Sequence, residues 1–245
     1  IHWACQMAGI MAAPLNWRVK AEELDFILPN ASARLIVFQD VSADAVAGSA
    51  AASALPQVTV GGGTAGPAIP FSRLLENRLA AASPRAGADD LSLLLYTSGT
   101  TGRPKGVPRR HRAERAAALA HIAQNCYAYA ERTLGVMPLY HTMGIRSLLS
   151  MALIDGCFAC LPRFEAADAL RLIEREKLTC LYLVPTLYHD LLAHPRFAET
   201  DVSSVRKLGF AGAPMTDETW AQDERRTLQL HLAGEPAALI VVHGG

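Results

Sequence analysis

Neither sign of charge is in excess in this 245-residue chain: 23 basic side chains meet 23 acidic ones. A protein whose affinity came from neutralising nucleic-acid phosphates would carry a surplus of Lys and Arg, so a dedicated nucleic-acid binder is excluded. Long apolar runs are missing too. Gly, Pro, Arg or Asp interrupts each one before the ~18 residues that a membrane span requires. Cysteine is sparse, odd in number and scattered: Cys5, Cys126, Cys157, Cys160 and Cys180. That excludes a disulfide framework, and their apolar neighbours predict buried thiols in a reducing, cytoplasmic compartment. Charged residues make up 19% of the chain and apolar ones 51%, so burial can offset ordering entropy and general disorder is excluded.

What is present has a regular order. Ile1–Ala13 is apolar on nearly every side and predicts a buried helix, Glu22–Leu28 a short amphipathic one, and Arg34–Gln39 a buried strand. Val41–Gly66 is rich in Ala, Ser and Gly, and is expected to be a variable connection with one strand at Leu55–Val60. A helix follows at Phe71–Leu79. Strands are expected at Leu91–Thr97, Thr133–Met137, Cys157–Leu161, Thr179–Val184, Val205–Phe210 and Ala238–Val242. Helices are expected at about Arg110–Tyr129, Ile145–Ile154, Ala166–Lys177, Thr186–Ala193 and Asp217–His231. Strands that alternate with helices this long build βαβ units, so the fold class is α/β with mostly parallel sheets and helices on both faces. In such sheets ligands sit beyond the carboxyl ends of the strands, which directs attention to the loops after Thr97, Met137, Val184 and Phe210.

The first of these loops is chemically the richest. Tyr96–Gly106 reads YTSGTTGRPKG, with three glycines, four hydroxyls and one lysine in eleven residues. Gly99 and Gly102 let successive N–H groups turn toward an anion, Thr97, Ser98, Thr100 and Thr101 can donate to phosphate oxygens, and Lys105 adds a point charge. It is not the Walker loop, because Pro104 precedes the lysine and Gly106 follows it. The whole string resembles the phosphate loop of the adenylate-forming superfamily: acyl- and aryl-CoA synthetases, luciferases and peptide-synthetase adenylation domains. Arg103, Lys105, Arg109, Arg110, Arg112 and Arg115 crowd the stretch that follows, where a helix start would gain nothing from cations. Attraction of a polyanionic nucleotide could offset that cost. Pro108 departs from the family pattern, in which this stretch is more β-like.

Two further strings follow in the family's order. Pro138–Gly144 reads PLYHTMG and is similar to the second motif of acyl-CoA synthetases, which implies that His141 borders the acyl pocket and orients the substrate carboxylate. Gly209–Thr216 reads GFAGAPMT, and the resemblance implies that Gly212, Ala213 and Pro214 form a turn against the adenine and the acyl pocket. Gly9–Arg18 and Glu22–Leu28 also resemble the family's upstream segment. Cys157 and Cys160 have metal or redox spacing but no second pair, and are expected to be structural thiols of a buried strand. His2, His121, His189, His194 and His231 define no ligand set, and no metal ligands are expected in this chain.

The resemblance implies an enzyme that joins a carboxylic acid to ATP as an acyl-adenylate and then to coenzyme A as a thioester, with Mg²⁺ as a further cofactor. Residues 1–90 would be the upstream part of the large N-terminal domain, with its Ala/Gly-rich connection, and 91–245 the ATP- and acyl-binding core. The chain begins in mid-segment at Ile1 and ends at Gly245 just after a strand-like run, so the small C-terminal domain and the family's later Mg²⁺ motif are expected to be absent. An acid-thiol ligase fragment, inactive alone, is therefore the expectation, and a truncated, non-catalytic nucleotide-binding remnant is the alternative. Met143, Gly144 and Ile145 beside His141 suggest an apolar pocket, and the motifs lean toward aryl or short-to-medium acyl acids.

Overall fold

The computed structural model describes residues 1–61, 67–76, 83–97 and 103–212, and the chain divides into two compact units, Ile1–Arg112 and Ala113–Gly245. Within the first of these, Ala12 bridges Leu93 and donates to the Ser92 carbonyl at 3.0 Å.

In the first unit, α1 (His2–Ala8) stops at Gly9, whose φ of +70° suits glycine and whose N–H returns to the Cys5 carbonyl. The expected buried helix over Ile1–Ala13 is therefore shorter, and none of its residues is buried; Trp3 and Met7 stay 47% and 54% exposed. In α2 (Ala21–Asn30), Glu22 and Glu23 occupy the first turn, at the positive end of the dipole, and Glu23 accepts from the Lys20 N–H at 2.8 Å. Leu24 and Leu28 bury one face against Ile36 and Phe38 of β1 (Ile36–Gln39), Val46 of α3 (Ala43–Gly48) and Ala52 of α4 (Ala50–Ser53).

Much of the expected connection from Val41 onward is thus helical, with a 3-10 turn at Asp40–Ser42 ahead of α3. Alanine is the strongest helix former, and Asp25 fixes the start of α4 by accepting from Ser49 Oγ at 2.6 Å and Ala51 N–H at 2.9 Å. β2 (Gln57–Val60) pairs in parallel with β1 and with β3 (Ile69–Pro70), which leads into α5 (Phe71–Leu75). β4 (Leu91–Thr97) forms an antiparallel hairpin with β5 (Lys105–Arg110).

Among its described residues, the second unit carries a parallel sheet of four strands in the order β7-β6-β8-β9, with helices on its crossovers. After α6 (His111–Gln124) come β6 (Arg132–Gly135), α7 (Thr142–Leu153), β7 (Cys157–Cys160), α8 (Ala166–Glu176), β8 (Cys180–Leu183), α9 (Pro185–Ala193) and β9 (Lys207–Phe210). Leu134, Leu170, Ile173, Leu178, Leu183 and Leu191 form its core. Gly135 admits the Phe158 ring, which would lie 2.2 Å from any Cβ placed there. The chain is thus α/β with parallel sheets. The expected helix Asp217–His231 and strand Ala238–Val242 lie outside the described residues. Among those described, no helix is long and apolar enough to cross a membrane.

Cysteine burial departs from expectation. Cys180 is buried, and burial pushes its thiol up to about 11. Cys160 is exposed and Cys157 half-buried, because β7 is the outermost strand in the sheet order; Cys126 is exposed as well.

One charge is fully enclosed. The Glu131 side chain has 0% exposure and takes Lys207 as its salt-bridge partner, with Thr179 donating to it and Arg206 3.6 Å away. Burial raises its pKa, but the hydrogen bonds from Lys207, Thr179 and the Ala128 N–H, with the Lys207 charge, outweigh that and hold the carboxyl below its ordinary value. Lys207→Met, which strips the carboxylate of its lysine, is expected to lower unfolding free energy by about 3–5 kcal/mol in chemical denaturation. Because the folded pKa is depressed, the Glu131 contribution is complete above the ordinary value of 4.5 and fades as pH falls through the lower folded value. The denaturation midpoint of Glu131→Gln should accordingly vary less with pH over that range than that of the native chain.

Candidate active site

The hairpin positions the stems of the Tyr96–Gly106 string. Leu93, Leu94 and Leu95 are buried and anchor β4, and the ladder ends with the pairs Tyr96↔Gly106 and Thr97↔Lys105. The absence of a side chain at Gly106 lets the Tyr96 ring lie against its backbone; a Cβ there would be 3.2 Å from the ring and 3.1 Å from Leu94 Cδ1. Tyr96 donates through its hydroxyl to Asn30 Oδ1 at 2.7 Å, and the Arg103 guanidinium lies 5.9 Å from the centre of the Phe26 ring, so side chains from both arms of the string reach α2. Lys105 is exposed and pairs with no carboxylate among the described residues, and Thr97 Oγ1 contacts the Lys105 carbonyl at 3.5 Å. Ser98, Gly99, Thr100, Thr101 and Gly102 lie outside the described residues.

The string does not run directly into a helix. Lys105–Arg110 is a strand, and α6 starts only at His111. Pro108 is compatible with this because, among the described residues, β5 has β4 alone as a strand partner. The basic cluster is therefore mostly strand and hairpin, not helix start: Arg110 donates to the Asp89 carbonyl and Arg112 pairs with the Asp89 carboxylate.

In the second unit, His141 and Gly212 come to the same end of the parallel sheet. His141 closes a turn by donating its N–H to the Pro138 carbonyl at 3.0 Å, is the N-cap residue of α7, and presents an exposed ring tilted against Tyr140. The turn is possible because Gly144 lacks a side chain; a Cβ there would be 2.3 Å from the Pro138 oxygen and 2.4 Å from that of Met137. Gly212 follows β9 with a φ of +91°, and a Cβ there would be 3.3 Å from Val184 Cγ1 and 3.8 Å from Met143 Sδ. It thus meets both the end of β8 and the first turn of α7, which His141 caps. Ala213 and Pro214 lie outside the described residues. Tyr188 on α9 secures the approach, its buried hydroxyl lying 2.8 Å from the Gly209 carbonyl oxygen and 3.1 Å from that of Leu181. No group of three or more His, Cys, Asp or Glu side chains that could hold a metal occurs among the described residues.

Sequence reasoning passed over Asn30, Tyr188 and His121. Asn30 and Tyr188 act on partners 66 and 21 residues away, which no local pattern reveals. His121 was set aside for want of ligand spacing, although the His-x-x-x-Asn pattern with Asn125 joins two polar residues on one face of a helix, and both are buried.

A family model described as "AMP-binding enzyme" matches residues 1–233. A feruloyl-CoA synthase from an Amycolatopsis species is 33% identical over 227 residues, covering 87% of this chain and 41% of that protein. The inhibitor-bound crystal structure of the N-terminal domain of FACL13 from Mycobacterium tuberculosis superposes with a TM-score of 0.81 at 26% identity, covering 100% of this chain and 58% of that one. ATP-bound MatB from Rhodopseudomonas palustris gives a TM-score of 0.76 at 28% identity over 91% of this chain and 44% of its own. The chain spans less than half the length of the feruloyl-CoA synthase. Gly144→Ala should force the Pro138–His141 turn outward against α7, at a cost of about 1–3 kcal/mol that a shift in thermal midpoint would register.

Proposed function

The chain belongs to the AMP-binding enzyme family, and from that premise we propose that it is part of the large N-terminal domain of an ATP-dependent acyl- or aryl-CoA ligase. The observation that carries the reading is the meeting of Gly212 with the first turn of α7, beneath His141, at the carboxyl end of one parallel sheet. The same chain carries the Tyr96–Gly106 string.

In such a ligase a carboxylate oxygen attacks the α-phosphorus of ATP, pyrophosphate leaves, and the thiol of coenzyme A then displaces AMP to give the thioester. The protein's share of that chemistry is positioning and charge balance. Lys105, exposed and unpaired with any carboxylate among the described residues, stands beside pyrophosphate oxygens, with the hydroxyls of Thr97, Ser98, Thr100 and Thr101 and the backbone of Gly99 and Gly102. His141, fixed by its turn, orients the acid. Gly212, with no Cβ, lets the flat adenine lie close to the main chain, and Ala213 and Pro214 continue that wall. Mg²⁺ would add charge balance at the phosphates. Residues 1–90 serve as the upstream part of the domain and 91–245 as its nucleotide- and acid-binding core, in the cytoplasm. The acid is aryl or short-to-medium acyl; the similar feruloyl-CoA synthase is named for an aryl substrate.

Carboxylate-dependent exchange of labelled pyrophosphate into ATP by the complete gene product tests the reading, and its absence across a panel of aryl and alkyl acids would overturn it. In that assay Lys105→Met should raise the KM for ATP about tenfold, and His141→Ala should lower exchange about 10²-fold with the KM for ATP little changed. The 245-residue chain alone is expected to bind ATP weakly by calorimetry and to turn over little. A complete gene product that binds ATP but exchanges nothing would favour the other reading, a nucleotide-binding remnant without catalysis.

A further inference from the structure

Beneath Met143, Val184 and Gly212 lies a second layer, made of polar groups. Arg146 is one helical turn beyond Met143 on α7, and Tyr182 is two residues before Val184 on β8, so each repeats the face of the residue above it. Tyr182 pairs with Gly209, whose missing side chain leaves room for the Tyr182 ring and for Asn125 Oδ1, 2.9 and 3.1 Å from the Cβ position. His121 on α6 is 3% exposed and meets Tyr182 edge-on at 4.6 Å and Tyr127 at 5.4 Å between ring centres.

The hydrogen bonds fix the His121 tautomer. Asn125 Nδ2 donates to the His121 carbonyl at 2.8 Å, which identifies it as the amide nitrogen, and lies 3.0 Å from His121 Nδ1. Nδ1 is therefore the acceptor, and the ring proton sits on Nε2. Burial, and then the Arg146 charge, lower the His121 pKa to about 4, so the ring is neutral at physiological pH. Among the described residues its Nε2–H is closed off from solvent and without a hydrogen-bond partner, and so is Arg146 Nε. Arg146 has no carboxylate paired with it among the described residues. Buried polar groups are seldom left unsatisfied, and two donors in one layer with no hydrogen-bond partner among the described residues ask for an oxygen from beyond those residues.

We propose that His121 Nε2–H and Arg146 determine substrate specificity by receiving a hydrogen-bond-accepting oxygen at the end of the acid remote from its carboxylate. The proposal rests on the acid-activating reading above and adds the substrate class: acids with a distal hydroxyl, ether, carbonyl or second carboxylate oxygen. Met143, unbranched and half-buried beside Gly212, is the side chain that must swing for such an acid to reach the layer.

Pyrophosphate exchange by the complete gene product on matched acids tests it: cinnamate against 4-hydroxycinnamate, and octanoate against 8-hydroxyoctanoate. In at least one pair the oxygenated acid should have the higher kcat/KM, by about tenfold or more. His121→Phe, which keeps the edge-on ring contacts, and Arg146→Met should each move that ratio toward one. Exchange in which neither pair shows a preference, or in which the preference survives both variants, would overturn this proposal and leave the ligase reading standing, the two donors then holding a water. No exchange with any acid would overturn both.

Discussion

Glu131 holds a charge away from water, and three strands of the second unit answer to it. It directly precedes β6, Thr179 directly precedes β8, and Lys207 begins β9, so one buried carboxylate ties the amino ends of three parallel strands. Removing a charge from water costs several kcal/mol unless partners compensate, and here the Lys207 and Thr179 share of that compensation comes only when all three strands are in register. Parallel strands without tight turns between them need such a long-range fixture. With the amino ends tied, the carboxyl ends must emerge side by side, and these bear the Pro138–His141 turn, Val184 and Gly212.

That division of labour explains the glycines near the site. Gly144 brings the backbone of one loop against the first turn of a helix, and Gly212 brings another to the same turn. Gly135, inside β6, instead yields its space to Phe158 and serves packing. Conformation and close approach are separate needs: only Gly212 of these three has a positive φ, while Gly144 and Gly135 are required by their neighbours.

The parts of the fold legible in the sequence were those with local causes. Leu91–Thr97 is apolar, bounded by Asp90 and a glycine-rich loop, and is β4 with the expected bounds. Ala166–Glu176 places Ala169, Leu170 and Ile173 at helical spacing and is α8 within one residue. Lys105–Arg110 was missed because Pro108, with Pro104 just ahead of the strand, and a run of cations resemble a loop entering a helix, and only pairing with β4 makes it a strand. The helices after Asp40 were missed for a related reason: an Ala- and Ser-rich composition resembles a linker until Asp25 of α2 supplies the cap. At the site, the string around Thr97 stood out by composition, and those around His141 and Gly212 by their resemblance to the family's motifs in the same order. The polar layer under them could not, since His121 and Tyr182 are distant in sequence and meet only through the sheet.

Pro108 has a consequence for association. Proline contributes no N–H to a ladder, and within a strand it is tolerated where its nitrogen faces away from the paired neighbour. On β5 that side has no strand partner among the described residues, and Lys105, Arg109 and Arg110 stud the same strand with positive charge. A second molecule offering its own strand there would meet a gap in the donor row and, if identical, a matching set of cations. The hairpin that presents Thr97 and Lys105 is thereby guarded against growing into an intermolecular sheet.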